Sequence, residues 1–102
     1  MPNRKYEAGR RAEYKVMRLL ESAGWYTYRM ASSKGEFDVI AWHPAATKTR
    51  FIQVKSGRPA SSEDRRQLAA LPMPECGCKE LWEFLERGKD PRVTMFDAGE
   101  AE

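Results

Sequence analysis

An α/β fold, with a central mixed sheet of about five strands flanked by helices, is what three features of the sequence predict. Apolar residues recur at helical spacing across residues 4–23. Runs of aromatic and β-branched residues, bounded by glycine, proline and small polar residues, follow. A second short helical segment interrupts those runs, which is the pattern of strands joined through a helix.

At about 100° per residue, Ala12, Val16, Met17, Leu19, Leu20 and Ala23 gather on one side of segment 4–23, and Arg11, Lys15, Arg18 and Ser22 on the other. One amphipathic helix packed on a sheet is expected, with Gly24 as its stop. Residues 25–30 read as a strand, 31–35 as a small polar loop, 37–42 as a second strand and 44–48 as a turn, His43 being held extended by the proline after it. A third strand, 51–56, is broken by Gly57, Arg58 and Pro59. Ser61 followed by Glu63 and Asp64 marks a capped helix start, running to about residue 70, where Pro72 and Pro74 close it off. Segment 79–86 puts Trp82 and Phe84 on one face and Leu81, Glu83 and Leu85 on the other. The spacing of Leu81, Phe84 and Leu85 also fits a short helix, and a strand is favoured. A turn at 88–91 leads to a last strand, 92–96, and a frayed tail is expected after it.

A length of 102 residues suits a single domain with a modest core, without disulfides or a structural metal. With 41% hydrophobic and 32% charged residues, a soluble globular protein is expected rather than a disordered tail or a membrane span, and no stretch reaches bilayer length. The basic N-terminus has no apolar run after it, so a cytoplasmic location is expected, or the host cytoplasm for a viral chain. Cys76 and Cys78 are too close for an ordinary disulfide and lack the other ligands of a zinc site. The net charge of +3 is uneven: residues 1–70 carry 14 Lys+Arg against 7 Asp+Glu, and residues 71–102 carry 4 against 8. A basic face favours a polyanion through counterion release; charge alone leaves a solvated face with no partner equally open.

Four positions carry candidate chemistry. Glu13 falls inside the apolar helix stripe, where a carboxylate is costly unless paired or bound to a cation. Asp38 stands in an otherwise apolar strand. Gln53 and Lys55, two apart, leave the same face of the third strand, while Ile52 and Val54 face the other way. If the second and third strands form a hairpin, Asp38, Gln53 and Lys55 converge at one end. Phosphodiester hydrolysis asks for such a set: oxygen ligands for a hard divalent cation, and a cation where the phosphate gains negative charge. Taken singly, each residue also has an ordinary role, as surface aspartate, strand-end lysine or helix ion-pair partner.

Asp38, a 14-residue interval, then Gln53, Val54 and Lys55 resembles the PD-(D/E)XK nuclease core, an Asp followed on the next strand by an acidic residue, any residue and Lys. More closely, the stretch from Gly9 to Glu13, the helix to Gly24 and Trp25, Arg29, Ser32, Ser33 and Asp38 to Ala41 resemble the archaeal-type Holliday junction resolvases, over roughly residues 5–58. The resemblance implies a restriction-endonuclease-like core and a magnesium- or manganese-dependent endonuclease of DNA recombination and repair, acting on four-way junctions. It implies Glu13 and Asp38 as metal carboxylates, the Val54 carbonyl as a further ligand, Lys55 as the catalytic lysine, and Ser33, with Ser32, as loop hydroxyls near the scissile phosphate. Two residues depart from the pattern. Phe37 stands where proline often precedes the Asp, and Gln53 stands where the family has Glu or Asp. Glutamine donates an oxygen without charge; Glu36, two residues from Asp38, is a candidate substitute.

Arg4, Lys5, Arg10, Arg11, Arg29, Lys34 and Arg58 are expected, with Ser32, to form the DNA-facing side, binding backbone more than bases. A symmetric homodimer is expected because two nicks related by a two-fold need two sites; Trp82, Phe84, Leu85 and Met95 offer a candidate interface, and each could equally complete the monomer's own core. A nuclease of flaps, ends or plain duplex, and a DNA-binding protein whose catalysis is lost through Gln53, remain as alternatives.

Overall fold

In a computed structural model the described residues are 4–30 and 37–96, with side chains from residue 8 onward. The elements follow in the order α1 (Arg4–Ser22), β1 (Tyr26–Arg29), β2 (Val39–Trp42), β3 (Thr49–Ser56), α2 (Ser62–Ala70), β4 (Gly77–Phe84) and β5 (Arg92–Phe96). The expected tail and the loop at 31–36, with Ser32, Ser33, Lys34 and Glu36, lie outside the described residues, as do the side chains of Arg4 and Lys5.

The five strands form one sheet in chain order. Its pairs β1–β2, β2–β3 and β4–β5 are antiparallel, and β3–β4 is parallel, joined through α2. This is the mixed α/β architecture expected. α1 packs on one face, where Val16 and Leu20 meet Val39, Ala41, Ile52 and Trp82, with Val54 and Phe84 beside them. α2 packs on the other, its Leu68 joining Ala60 and Leu81.

Each helix end has a local cause. Gly24, at φ +92°, lets the Trp25 amide donate to the Leu20 carbonyl and its own amide to Glu21, closing α1 in a Schellman turn. A Cβ at Gly24 would meet the His43 ring at 3.0 Å. His43 packs edge-on against Trp25 and accepts the Ala45 amide at Nδ1, which gives it a packing role. At α2, the Ser61 hydroxyl accepts the Asp64 amide and the Asp64 carboxylate accepts the Ser61 amide, the reciprocal capping that Ser61 and Asp64 announced.

Several expectations are corrected. The buried stripe of α1 is narrower than read, because Ala12, Val16 and Leu20 make the contact at four-residue spacing. Leu19, rotated about 100° from that line, is 47% exposed, and Ala23 is exposed too. The strand expected at 79–86 starts two residues earlier and ends two earlier, since Gly77 already pairs with Thr49. The Cys76 carbonyl accepts the Thr49 amide there, and this also brings the start of β3 forward from residue 51. Of the two roles open to Trp82 and Phe84, dimer interface or monomer core, they take the second under α1, because β4 is an inner strand covered on that face. Leu85 is half-buried, and of the four only Met95 is exposed, on the edge strand. The uncovered apolar surface is elsewhere: Tyr26 stacks on Trp42 at 4.6 Å, and both are exposed, as is Tyr28.

The crossover is held by buried charges. Glu83, fully buried on β4, accepts the Ala60 amide and the guanidiniums of Arg65 on α2 and Arg92 on β5. Burial pushes its carboxyl up, but Arg92, the Ala60 amide and Arg65 outweigh it and hold the pKa below the ordinary value. Lys79 donates to the Ala69 and Leu71 carbonyls at the end of α2, 2.7 Å each. On the opposite face Glu80 accepts both arms of Arg50 and the Trp82 indole. The bonds of Glu83 and Lys79 fix α2 against β4, and Glu80 ties β4 to β3; α2 in turn supplies one residue of the site.

Candidate active site

The site grows from the place where the β2–β3 ladder opens. Asp38 lies just before β2, its amide donating to the Ile52 carbonyl and its carbonyl accepting the Met30 amide, 2.8 Å each. Val39 pairs with Ile52, so one step further along the register Asp38 sits beside Gln53, as the hairpin reading requires. Its carboxylate accepts the Val54 amide at 2.8 Å, taking a backbone donor that has left the ladder. Burial, reinforced by the charge of Glu13, raises the Asp38 pKa to about 6, against the opposing Val54 hydrogen bond and the Lys55 charge. Asp38, Glu13 and Lys55 therefore share one electrostatic environment.

Gln53 and Lys55 leave the sheet on the α2 face, opposite the face on which Val54 packs. Gln53 Oε1 is buried and accepts no hydrogen bond among the described residues. An orphaned buried acceptor costs about 1–3 kcal/mol, which makes this oxygen available to a ligand. The Lys55 ammonium lies 3.8 Å from Asp64 in the first turn of α2, and both residues line one groove with Arg58 and Ser61. The Ser61 amide and hydroxyl, followed by Lys55, keep the Asp64 carboxyl below its ordinary pKa.

Glu13 approaches from the α1 side. It pairs with Arg29 at 3.2 Å, both side chains being largely buried, and the Arg29 guanidinium also lies 5.2 Å from the Tyr14 ring. Arg29, expected on the DNA-facing side, is thus engaged with Glu13. Arg10 lies over Tyr14, Arg11 is exposed on α1, and Arg58 stands beside Lys55. So Asp38, Gln53 and Lys55 converge as expected, and Glu13 reaches Asp38 by its charge while bonded to Arg29. Among the described residues no three His, Cys, Asp or Glu side chains gather as a metal cluster, and the residue at position 53 is a neutral glutamine. Asp64 is the site neighbour that the sequence did not single out beyond its place in the helix start. The available signal was an acidic residue opening the helix that follows Lys55.

No family model matches the chain, and no curated protein is similar to it in sequence. The fold is of the resolvase-like α/β type, as comparison with solved structures shows. One such structure is that of Hjc, a Holliday junction resolvase from the archaeal hyperthermophile Archaeoglobus fulgidus. It matches with a TM-score of 0.64 over 86% of this chain and 77% of that one, at 21% identity. At that identity the likeness is one of fold.

Proposed function

We propose that the chain is a divalent-metal-dependent endonuclease of the PD-(D/E)XK type that hydrolyses DNA phosphodiester bonds, with four-way junctions as substrate. The observation that carries this reading is the Asp38 carboxylate, held against Val54 where β2 and β3 part, with the orphaned Gln53 oxygen and Lys55 on the next strand. A fold shared with a resolvase supports it.

The donors fit a hard cation: Asp38, Glu13, Gln53 Oε1 and the Val54 carbonyl are all oxygens, and one of them is buried without a partner. Magnesium or manganese bound there would supply Lewis acidity at the phosphate and an activated water. Lys55 places positive charge where the pentavalent phosphate gains negative charge, and Asp64 keeps that ammonium oriented. Asp38, ionised above about pH 6, holds the negative charge of the centre. Two nicks on a junction need two such centres, so we infer a symmetric homodimer. The exposed sheet face carrying Tyr26, Tyr28 and Trp42 is its candidate contact.

A second reading, a DNA-binding protein without catalysis, is favoured by the neutral Gln53 alone. Incubating a labelled four-way junction and the matching linear duplex with the protein, in magnesium and in EDTA, separates the two. Paired nicks in the junction, dependent on magnesium, are expected; a bound but uncut junction would establish the second reading instead.

A further inference from the structure

We propose that a basic groove leading away from Lys55 holds the sugar-phosphate backbone of one DNA arm, and that the β4–β5 turn, in the acidic last third of the chain, forms its far wall. This surface rests on the reading that the chain acts on DNA, and it assigns a role to residues outside the cleavage centre.

Three concavities join end to end. The first, beside Lys55, contains Arg58 and shares Ala8, Ser56 and Gly57 with a second. The second runs between α1, at Arg11 and Lys15, and Arg87 beyond β4. It shares Lys15 and Phe84 with a third, lined by Arg18 and Lys89. Six cations therefore follow Lys55 along one path, against the three acids Asp64, Glu86 and Asp90. From Arg11 to Arg18 the helix rises about 10 Å, which along a duplex axis is the rise of about three phosphates of one strand.

The pairing of the charges sets this groove apart from most of the surface, where only Arg10 and Lys48 are further exposed cations without an ion pair among the described residues. Arg29, Arg50, Arg65, Arg66 and Arg92 each meet a carboxylate. The six groove cations are exposed and make no ion pair among the described residues; Lys15 lies only over the Phe84 ring, 5.8 Å away. A row of like charges with no internal partner repels itself, and a polyanion relieves that repulsion by releasing counterions. Most protein–DNA hydrogen bonds go to phosphate and sugar, from arginine and lysine above all, so the occupant this row fits is backbone. The net acidity of residues 71–102 conceals Arg87 and Lys89, because the turn carries them back to α1 while the acids Glu80 and Glu83 are consumed inside the fold.

The test is binding of fluorescent duplex DNA by the full chain in EDTA, across a range of salt, for the parent, the double variant Arg87→Ala with Lys89→Ala, and Arg66→Ala. Arg66 is an exposed arginine paired with Glu63 on α2, so its loss changes net charge without touching the groove. The double variant should flatten the slope of log affinity against log salt by about 1 per residue, equally for unrelated sequences, with an unchanged melting temperature. Arg66→Ala should leave the slope at the parent value. An unchanged slope in the double variant of a parent that binds DNA overturns the groove and leaves the proposed function standing. Equal flattening per residue by Arg66→Ala overturns it too. A parent that neither binds nor cuts DNA overturns both.

Discussion

The Val54 amide donates to the Asp38 carboxylate at 2.8 Å, across the point where β2 has yet to begin and β3 continues. That one bond fixes the carboxylate at the opening of the sheet, yet it does not offset the burial that lifts the Asp38 pKa to about 6. Two pH effects follow. Activity should fall as pH drops through about 6, where Asp38 takes up a proton, and the rate measured from pH 5 to 8 checks this.

Stability runs the other way. A carboxyl whose folded pKa is raised makes the folded state bind its proton more tightly, so its ionisation costs stability from the unfolded value, 3.8, upward, and the cost is complete above about pH 6. Asp38→Asn should keep the Val54 hydrogen bond and stabilise the metal-free protein at pH 7.5 by about 1–2 kcal/mol, discounted for partial exposure. The gain should vanish by about pH 4. Urea melts at the two pH values, in EDTA, would show it; a variant less stable than the parent at pH 7.5 contradicts the burial of an ionised Asp38.

Gln53 separates stability from cation binding. Gln53→Leu removes an orphaned acceptor and should leave stability unchanged or raise it by about 1 kcal/mol, while manganese affinity falls. Gln53→Glu should bind manganese more tightly, because a charged ligand replaces a neutral one. Titration calorimetry on both decides, and weaker manganese binding by the Glu variant would remove residue 53 from the cation site.

Glu13→Gln keeps an oxygen for the Arg29 hydrogen bond and should shift the melting temperature little, while lowering the cleavage rate about tenfold or more. Full activity in this variant would make Glu13 an ion-pair partner of Arg29 and nothing else.

Glu83 is the stability counterpart. Its removal strands Arg65, Arg92 and the Ala60 amide, so Glu83→Ala should cost about 3–5 kcal/mol. Denaturant unfolding measures it, and a loss below about 1 kcal/mol would show that the crossover does not depend on this node.

The chain carried much of this arrangement in legible form, and the limits are physical. α1 and α2 announced themselves through Gly24 and through Ser61 with Asp64, because caps are local chemistry. Asp38 and Lys55 met as expected because period-two alternation and hairpin pairing set which side chains share a face. Glu80 and Glu83 were not legible as buried groups, since Arg50 and Arg65 reach them from 30 and 18 residues away. A separation of 16 residues also hid the Arg29 partner of Glu13. Trp82 and Phe84 stood open between an interface and the monomer's core because counting apolar residues does not reveal that α1 covers β4. The net acidity of the last third likewise concealed a turn that returns two cations to α1.

The central claim is that cleavage takes place at Asp38 and Lys55, and comparing Asp38→Asn and Lys55→Ala with the parent tests it most directly. Single-turnover cleavage of a labelled four-way junction in magnesium, alongside junction binding in EDTA, gives both quantities from one substrate. Each variant should cut at least about a hundredfold more slowly while binding within about tenfold of the parent, since most affinity comes from other cations. Either variant cutting at close to the parent rate would contradict the account.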